Sequence, residues 1–130
     1  MPSPELPPVR MRCVRLEDRA GIGVKAFSFA RRMGFDQRAC WEIGIAVQEL
    51  VSNIVRHAGG GHLELYAGLG VLEVIATDNG PGIPSTILAE GAGWPRGLGA
   101  VKRLMHELEI DSNPAAGTCI RARRFTERRR

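Results

Sequence analysis

A glutamate, an asparagine and a histidine follow one another at four-residue spacing in a segment with helical periodicity. They are Glu49, Asn53 and His57, and this spacing puts them in one row along a helix. The row borders an apolar stripe that recurs every three or four residues. A carboxylate and an amide in this position can face a pocket roofed by the helix. A polar row beside a core face is equally typical of a solvated helix edge, so the row by itself leaves both interpretations open.

A second candidate site begins where an apolar strand pattern ends. Asp78 follows that pattern, and Gly80 and Gly82 come directly after it. The end of a strand holds a carboxylate rigidly, and glycines let a ligand approach the backbone. Such a carboxylate can accept a hydrogen bond from an exocyclic amine. The alternative is an ordinary Asp-Asn-Gly-Pro turn.

Two further glycines, Gly97 and Gly99, follow Arg96 and open a helical pattern. Glycines at a helix N-terminus leave backbone N–H groups and the positive end of the helix dipole available to phosphate. A loop with flexible glycines is the alternative. The chain has no GxxxxGK[ST] loop, and its GxGxxA segment at 21–26 precedes a helical region where a dinucleotide fingerprint needs a second strand. Neither of these two nucleotide-binding folds is therefore predicted.

The elements that position these residues follow from hydrophobic periodicity, capping residues and glycines. Asp18 and Asp36 are predicted to cap the first two helices, and glycines 59–61 to end the second. Two Gly/Pro-rich loops, 78–84 and 91–99, flank a weak helical turn at 87–89. We expect strands over 9–16, 62–67, 71–77, 109–111 and 117–124, and helices over 18–32, 37–58 and 98–108.

This order, β-α-α-β-β-α-β-β, does not alternate as a doubly wound parallel sheet would. It predicts an α/β fold with helices on one face of a mixed, mostly antiparallel sheet. The chain has 130 residues and 44% hydrophobic residues, which is enough for one core. We expect a disordered Pro-rich lead-in over 1–8, one domain over 9–125 and a basic tail over 126–130.

The net charge of +4 comes from the C-terminus, because six arginines lie among the last ten residues. The first 120 residues carry 12 basic and 13 acidic groups, so nucleic-acid binding is not predicted. No apolar run is long enough to span a bilayer, and no signal peptide is recognisable, which predicts a cytoplasmic protein with no membrane partner. Three widely spaced cysteines, Cys13, Cys40 and Cys119, are expected to be buried free thiols.

Together and in order, these motifs resemble the GHKL ATP-binding superfamily. Glu49-x-x-x-Asn53, Asp78-x-Gly80-x-Gly82, Gly97-x-Gly99 and Gly117-Thr118 are similar to its N, G1, G2 and G3 boxes. Segments 48–58, 78–84 and 97–105 most resemble the bacterial anti-sigma factor serine kinases, in particular the RsbT-type switch kinases. The resemblance covers about residues 9–125.

The resemblance implies a two-layer α/β sandwich that binds ATP and Mg²⁺ between the helices and a flexible lid over 85–96. It implies that Glu49 is the general base and that Asn53 coordinates Mg²⁺. It also implies that Asp78 accepts a hydrogen bond from the adenine amine and that Thr118 supports the base side. Gly80 and Gly82 would shape the adenine pocket, and Gly97 and Gly99 would contact the phosphates. Arg96 is expected either to reach the γ-phosphate or to face solvent, and His57 either to touch phosphate or to cap the helix end.

The function that the resemblance implies is a protein serine/threonine kinase acting on a STAS-domain regulatory protein, in a partner-switching pathway that controls a sigma factor or a stress response. The alternative is a nucleotide-gated binding module, with little catalysis, that sequesters a sigma factor or activates a PP2C-type phosphatase. A homodimer is compatible with either. A histidine kinase catalytic domain is disfavoured because no dimerising helical pair with a phosphoacceptor histidine precedes Val9, and a gyrase-like ATPase because no transducer domain is present.

Overall fold

The computed structural model describes residues 6–83, 97–113 and 115–126. Within these ranges the strands and helices follow the predicted order β-α-α-β-β-α-β-β. The predicted helical turn at 87–89 and the predicted lid over 85–96 lie outside the described residues. The elements are β1 (Val9–Cys13), α1 (Asp18–Met33), α2 (Gln37–Ala58), β2 (Gly61–Gly68), β3 (Val71–Asp78), α3 (Leu98–Leu104), β4 (Glu107–Asn113) and β5 (Gly117–Phe125).

The strands form one sheet in the order β1-β2-β3-β5-β4, and each neighbouring pair is antiparallel. The predicted fold class is confirmed, and the parallel pairing that a mixed sheet would include does not occur among the described strands. The register aligns Asp78 at the end of β3 with Gly61 on one side and Thr118 on the other. Three chemically distinct residues therefore share one row at the end of the sheet.

The helices cover one face of this sheet. Alternate residues of β2 and β3, such as Leu63, Leu65 and Val74, are fully buried beneath them, and the intervening positions are half-buried. In β1 the predicted alternation is confirmed, with Met11 buried and Arg10 exposed. α2 is the central helix, because it contacts α1, α3 and the first three strands. The candidate site residues on α2 are thus carried by the most extensively packed element.

The first and second helices begin differently. Asp36 caps α2 as predicted, because its Oδ1 accepts a hydrogen bond from the backbone N–H of Ala39 at 2.8 Å. Asp18 is the first residue of α1 and not its cap. Its Oδ2 accepts hydrogen bonds from the backbone N–H groups of Val14 and Arg15 at 2.9 and 3.0 Å, which hold the pKa of Asp18 below its usual range. These bonds end β1 at Cys13, three residues earlier than predicted.

The third helix is shorter than predicted, because it ends at Leu104 and Leu108 lies in β4. Leu108 pairs with Ala122 of β5, so antiparallel pairing takes the residues that would have continued the apolar helical pattern. Arg124 stabilises the C-terminus of α3, since its Nη1 donates a hydrogen bond to the carbonyl oxygen of Leu104 at 2.6 Å. The predicted strand at 109–111 is correspondingly extended in both directions.

Two of the three cysteines are buried as predicted. Burial raises the pKa of the Cys13 thiol to about 11 and also raises that of Cys40. Cys119 is only half-buried, contrary to the prediction, because it occupies the face of β5 that the helices do not cover. All three cysteines are free.

Leu6 is buried within the core although it belongs to the predicted disordered lead-in over 1–8. The packed part of the chain therefore begins before Val9. Among the described helices, none combines the length and the apolar composition that crossing a membrane requires.

Candidate functional site

The polar row of α2 does not lie on a solvated edge at Asn53. The Asn53 side chain is 3% exposed, and its Oδ1 is buried without a hydrogen-bond partner among the described residues. A buried oxygen left without a partner costs about 1–3 kcal/mol. An incoming ligand or cation that used this oxygen would remove that cost, so Asn53 has the features expected of a ligand-contacting residue.

Glu49 lies one helical turn before Asn53 and meets the start of α3. Gly97 is the N-cap of α3, with φ +93°, and its backbone lies directly against Oε2 of Glu49. A β-carbon at Gly97 would overlap that oxygen. The N-box carboxylate and the first glycine of the G2 box are therefore in contact, which the sequence motifs did not predict. Gly99 follows in the first turn of α3, where a β-carbon would lie 3.6 Å from Nη1 of Arg103.

Asp78 occupies the helix-facing side of the sheet and is 6% exposed. Its Oδ1 accepts a hydrogen bond from the backbone N–H of Gly80 at 2.9 Å. This bond closes the turn after β3 and fixes the carboxylate at the end of the strand. A carboxylate has two oxygens with about four acceptor sites, so one bond to the backbone leaves capacity for a donor from a ligand.

A hydroxyl pair lies beside Asp78. Thr118, in the neighbouring position on β5, is 5% exposed, and its Oγ1 is 2.8 Å from Oγ of Ser112. The Ser112 hydroxyl oxygen in turn accepts a hydrogen bond from the backbone N–H of Ile83 at 2.6 Å. Sequence analysis missed Ser112. No sequence motif marks Ser112. Its place beside Thr118 follows from the pairing of β4 with β5.

Glycines of the predicted adenine pocket also allow neighbouring elements to pack closely. A β-carbon at Gly80 would lie 2.6 Å from Cβ of Ala58 and 3.1 Å from the carbonyl oxygen of His57. The space beside Gly80 is therefore filled by the last turn of α2. Gly82 has φ +79°, a conformation that favours glycine. Gly117, with φ +92°, lies against the carbonyl oxygen of Asp78.

Two candidates remain, His57 and Arg96. The His57 side chain is exposed in the last turn of α2, where a basic group is favourable to the helix dipole. Arg96 lies outside the described residues. The structure therefore favours the helix-end role for His57, and the role of Arg96 stays a prediction.

The arrangement is an elongated site that follows α2. At one end, Gly80 packs on the last turn of α2 and places Asp78 and Thr118 nearby. At the other end, Glu49 meets the N-terminus of α3. Nine residues separate Glu49 from Ala58, and a rise of 1.5 Å per residue makes this about 13 Å along the helix. The Asp78 carboxylate, a fixed hydrogen-bond acceptor, thus lies at one end of the site. The Glu49 carboxylate and the buried amide oxygen of Asn53 lie at the other.

The sequence of residues 14–124 matches the family described as histidine kinase-like ATPase domain. This chain belongs to that family. The match includes the elements that carry the site, from the turn before α1 to β5, and it makes nucleotide use a property of the domain. It also confirms the GHKL-type fold predicted from the four motifs.

A curated relative of this ATPase domain is the serine/threonine-protein kinase RsbT of Bacillus subtilis. The two sequences are 39% identical over 103 residues, which is 72% of this chain and 77% of the relative. Identity at this level over most of both chains confirms the prediction of an RsbT-type protein kinase.

Solved structures confirm the fold of the domain. The RsbU and RsbW domains of a Mycobacterium tuberculosis protein match with a TM-score of 0.69 and 20% identity over 95% of this chain, which spans 33% of that structure. The mycobacterial sensor histidine kinase MprB matches with a TM-score of 0.56 and 21% identity, covering 92% of this chain and 96% of that one. At these identities the likeness concerns the fold alone.

Proposed function

We propose that this chain transfers the γ-phosphate of ATP to a serine or threonine of a STAS-domain regulatory protein, in a partner-switching pathway that controls a sigma factor or a stress response. The observation that carries the proposal is the contact of Glu49 with the N-terminus of α3, one helical turn from Asn53. The buried Oδ1 of Asn53 has no hydrogen-bond partner in the described part of the chain. The 39% identity to a serine/threonine-protein kinase supports the reaction class.

The adenine end of the proposed site consists of Asp78 and the groups around it. The hydrogen bond from Gly80 fixes the carboxylate, which then accepts a hydrogen bond from the adenine amine. Thr118 supports the base side, held by its contact with Ser112. Gly80 and Gly82 shape the turn that borders the base, and Gly97 and Gly99 present backbone N–H groups to the phosphates.

The metal end of the proposed site is Asn53. Among the described residues there is no group of three or more His, Cys, Asp or Glu side chains that could hold a metal ion. Mg²⁺ fits without one, because it prefers oxygen ligands and often takes only one or two from the protein. Asn53 Oδ1 would hold it, and the bound ion would neutralise charge on the phosphate oxygens.

Glu49 is proposed as the general base. Its carboxylate accepts the proton of the acceptor hydroxyl while that oxygen forms a bond to the γ-phosphorus. The bond from the γ-phosphorus to the β–γ bridging oxygen breaks, and ADP leaves with that electron pair. Fixing the carboxylate on a packed helix positions the acceptor for this in-line displacement.

The base role predicts a specific defect in Glu49→Gln. The amide keeps the shape of the side chain but cannot accept the proton, so single-turnover phosphotransfer at saturating ATP should slow by about 10²- to 10⁴-fold. Affinity for ATP, measured by calorimetric titration, should fall little or rise, because repulsion between carboxylate and triphosphate is removed.

The competing role for Glu49 is to support the helix edge. In that case Glu49→Gln would lower the melting temperature and leave the single-turnover rate unchanged. A variant as fast as the wild type would remove Glu49 from the reaction.

The proposed activity is tested by incubating the protein with [γ-³²P]ATP and purified STAS-domain proteins, followed by phosphoamino-acid analysis. Label on serine or threonine of one STAS-domain protein is the expected result. A stable, nucleotide-dependent complex with a sigma factor or a PP2C-type phosphatase, with no labelled product from any STAS-domain protein, would instead identify a binding module.

A further inference from the structure

Arg19 reaches the candidate catalytic carboxylate from a different helix. It lies in the first turn of α1, outside each of the four motifs, and its Nη2 is 3.9 Å from Oε1 of Glu49. The other carboxylate oxygen, Oε2, lies against Gly97. The two oxygens of Glu49 therefore have different neighbours, a guanidinium from α1 and the backbone at the start of α3.

The guanidinium of Arg19 is partly buried. Its Nε is buried and has no hydrogen-bond partner among the described residues, although the side chain as a whole is 36% exposed. A guanidinium has five N–H donors in a rigid fork, so the two outer nitrogens can still donate when Nε is buried. One of these is the nitrogen nearest Glu49.

Stability is a weak explanation for this ion pair. The Glu49 side chain is 25% exposed and the nitrogen–oxygen separation is long, and ion pairs of this kind contribute little to stability. α1 already packs on the rest of the core through buried apolar residues such as Ile22, Ala26 and Phe29. The contact does more for the orientation of the carboxylate than for the attachment of the helix.

We propose that Arg19 is a positioning residue that orients the Glu49 carboxylate for the acceptor hydroxyl. The inference rests on the proposed function, because it needs Glu49 to be the base. Arg19 lies beside one carboxylate oxygen and Gly97 beside the other, so together they restrict rotation of the carboxylate relative to the acceptor hydroxyl. Displacement of a reacting group by about 1 Å can cost about 10²-fold in rate, which is the effect that this orientation prevents.

The experiment is a double-mutant cycle with Arg19→Gln, Glu49→Gln and the double variant. Single-turnover phosphotransfer is measured with [γ-³²P]ATP and a purified STAS-domain acceptor. We expect Arg19→Gln to slow transfer by about ten- to a hundredfold, with ATP affinity nearly unchanged. In the Glu49→Gln background, Arg19→Gln should cause no further loss, because an orienting residue has no effect without the group it orients. Arg19→Lys keeps the charge but not the rigid fork, so it should recover part of the rate.

Arg38→Gln is the matched control. The exposed Arg38 side chain lies 3.7 Å from Glu42 in the same helix, so its loss removes an ion pair of α2 that does not involve Glu49. Its transfer rate should equal that of the wild type.

The inference fails if Arg19→Gln is as fast as the wild type while Glu49→Gln is slow. It also fails if the two losses multiply in the double variant, which would indicate an independent or merely structural role. An unimpaired Glu49→Gln is a separate result, because it overturns the base assignment and the inference with it.

Discussion

The Asp78 carboxylate stabilises the turn after β3 and is also the proposed acceptor for the adenine amine. Its Oδ1 accepts the backbone N–H of Gly80 and so sets the turn that follows β3. The carboxylate also faces the helix layer, in the same row as Gly61 and Thr118. At the scale of the residue, these two tasks can be separated, because an amide retains an acceptor oxygen but loses the charge.

Asp78→Asn is therefore expected to fold normally and to bind ATP weakly. The amide oxygen can keep the bond from Gly80, but the adenine amine loses a charged acceptor and can face the amide NH₂. Loss of a charge-assisted hydrogen bond costs about 1.5–3 kcal/mol, which is roughly ten- to a hundredfold in affinity. Calorimetric titration with ATP measures the loss, and a thermal melt establishes that the variant is folded.

Asp111→Asn makes the same chemical change at an exposed position of β4 and should leave ATP affinity unchanged. If Asp78→Asn bound ATP as tightly as this control, Asp78 would not be part of the adenine site.

At the scale of the element, the site depends on three close approaches made by glycines. Gly97 brings α3 to Glu49 on α2, Gly80 brings the turn after β3 to the end of α2, and Gly117 brings β5 to the end of β3. None of these contacts joins residues that are neighbours in sequence. A side chain at Gly80 or Gly117 would meet backbone atoms and move one element relative to another, whereas one at Gly97 would displace the Glu49 side chain.

Gly117→Ala tests this dependence. The position has φ +92°, and the added β-carbon would overlap the carbonyl oxygen of Asp78, which is backbone and cannot rotate away. A strained residue of this kind costs about 1–3 kcal/mol, and the overlap adds to that cost. Urea denaturation should show the lower stability, and ATP affinity should fall because the strand end that carries Asp78 is displaced.

Gly21→Ala is the matched control in α1. Among the described residues, no atom outside the local helix backbone lies within 4 Å of the position of an added β-carbon. Alanine is favoured over glycine in a helix by about 0.8–1 kcal/mol. This variant should be more stable than the wild type and bind ATP equally well. A Gly117→Ala variant of unchanged stability and affinity would show that the β3–β5 contact can relax without consequence.

At the scale of the whole molecule, the six C-terminal arginines divide equally between the last strand and the segment after it, because Arg121, Arg123 and Arg124 lie in β5. Thr126, assigned to the basic tail by sequence, donates its backbone N–H to the carbonyl oxygen of Gly70 at 3.0 Å. It therefore belongs to the folded domain. Residues 127–130 lie outside the described residues and contribute three arginines and one glutamate.

Deletion of residues 127–130 should leave ATP affinity and phosphotransfer nearly unchanged, because no candidate site residue lies in this segment. Calorimetry with ATP and the [γ-³²P]ATP transfer assay measure the two properties separately. Loss of partner phosphorylation with normal ATP affinity would make the tail a docking element for the acidic surface of a partner.

Local sequence signals were enough to predict α2 and to indicate which residues could form the site. Asp36 as cap, the apolar periodicity and the glycines after Ala58 are local signals, and they predicted the bounds of α2 correctly. The order of the motifs identified the family because each motif is a short run of residues whose chemistry does not depend on distant parts of the chain.

The tertiary structure alone decided which of these residues meet. The end of α3 is set by pairing of Leu108 with Ala122, and the Ser112–Thr118 contact depends on the same register. The approach of Arg19 to Glu49 joins two helices across 30 positions of the chain. No local pattern encodes such contacts, because they depend on how whole elements pack, and packing is a property of the complete core.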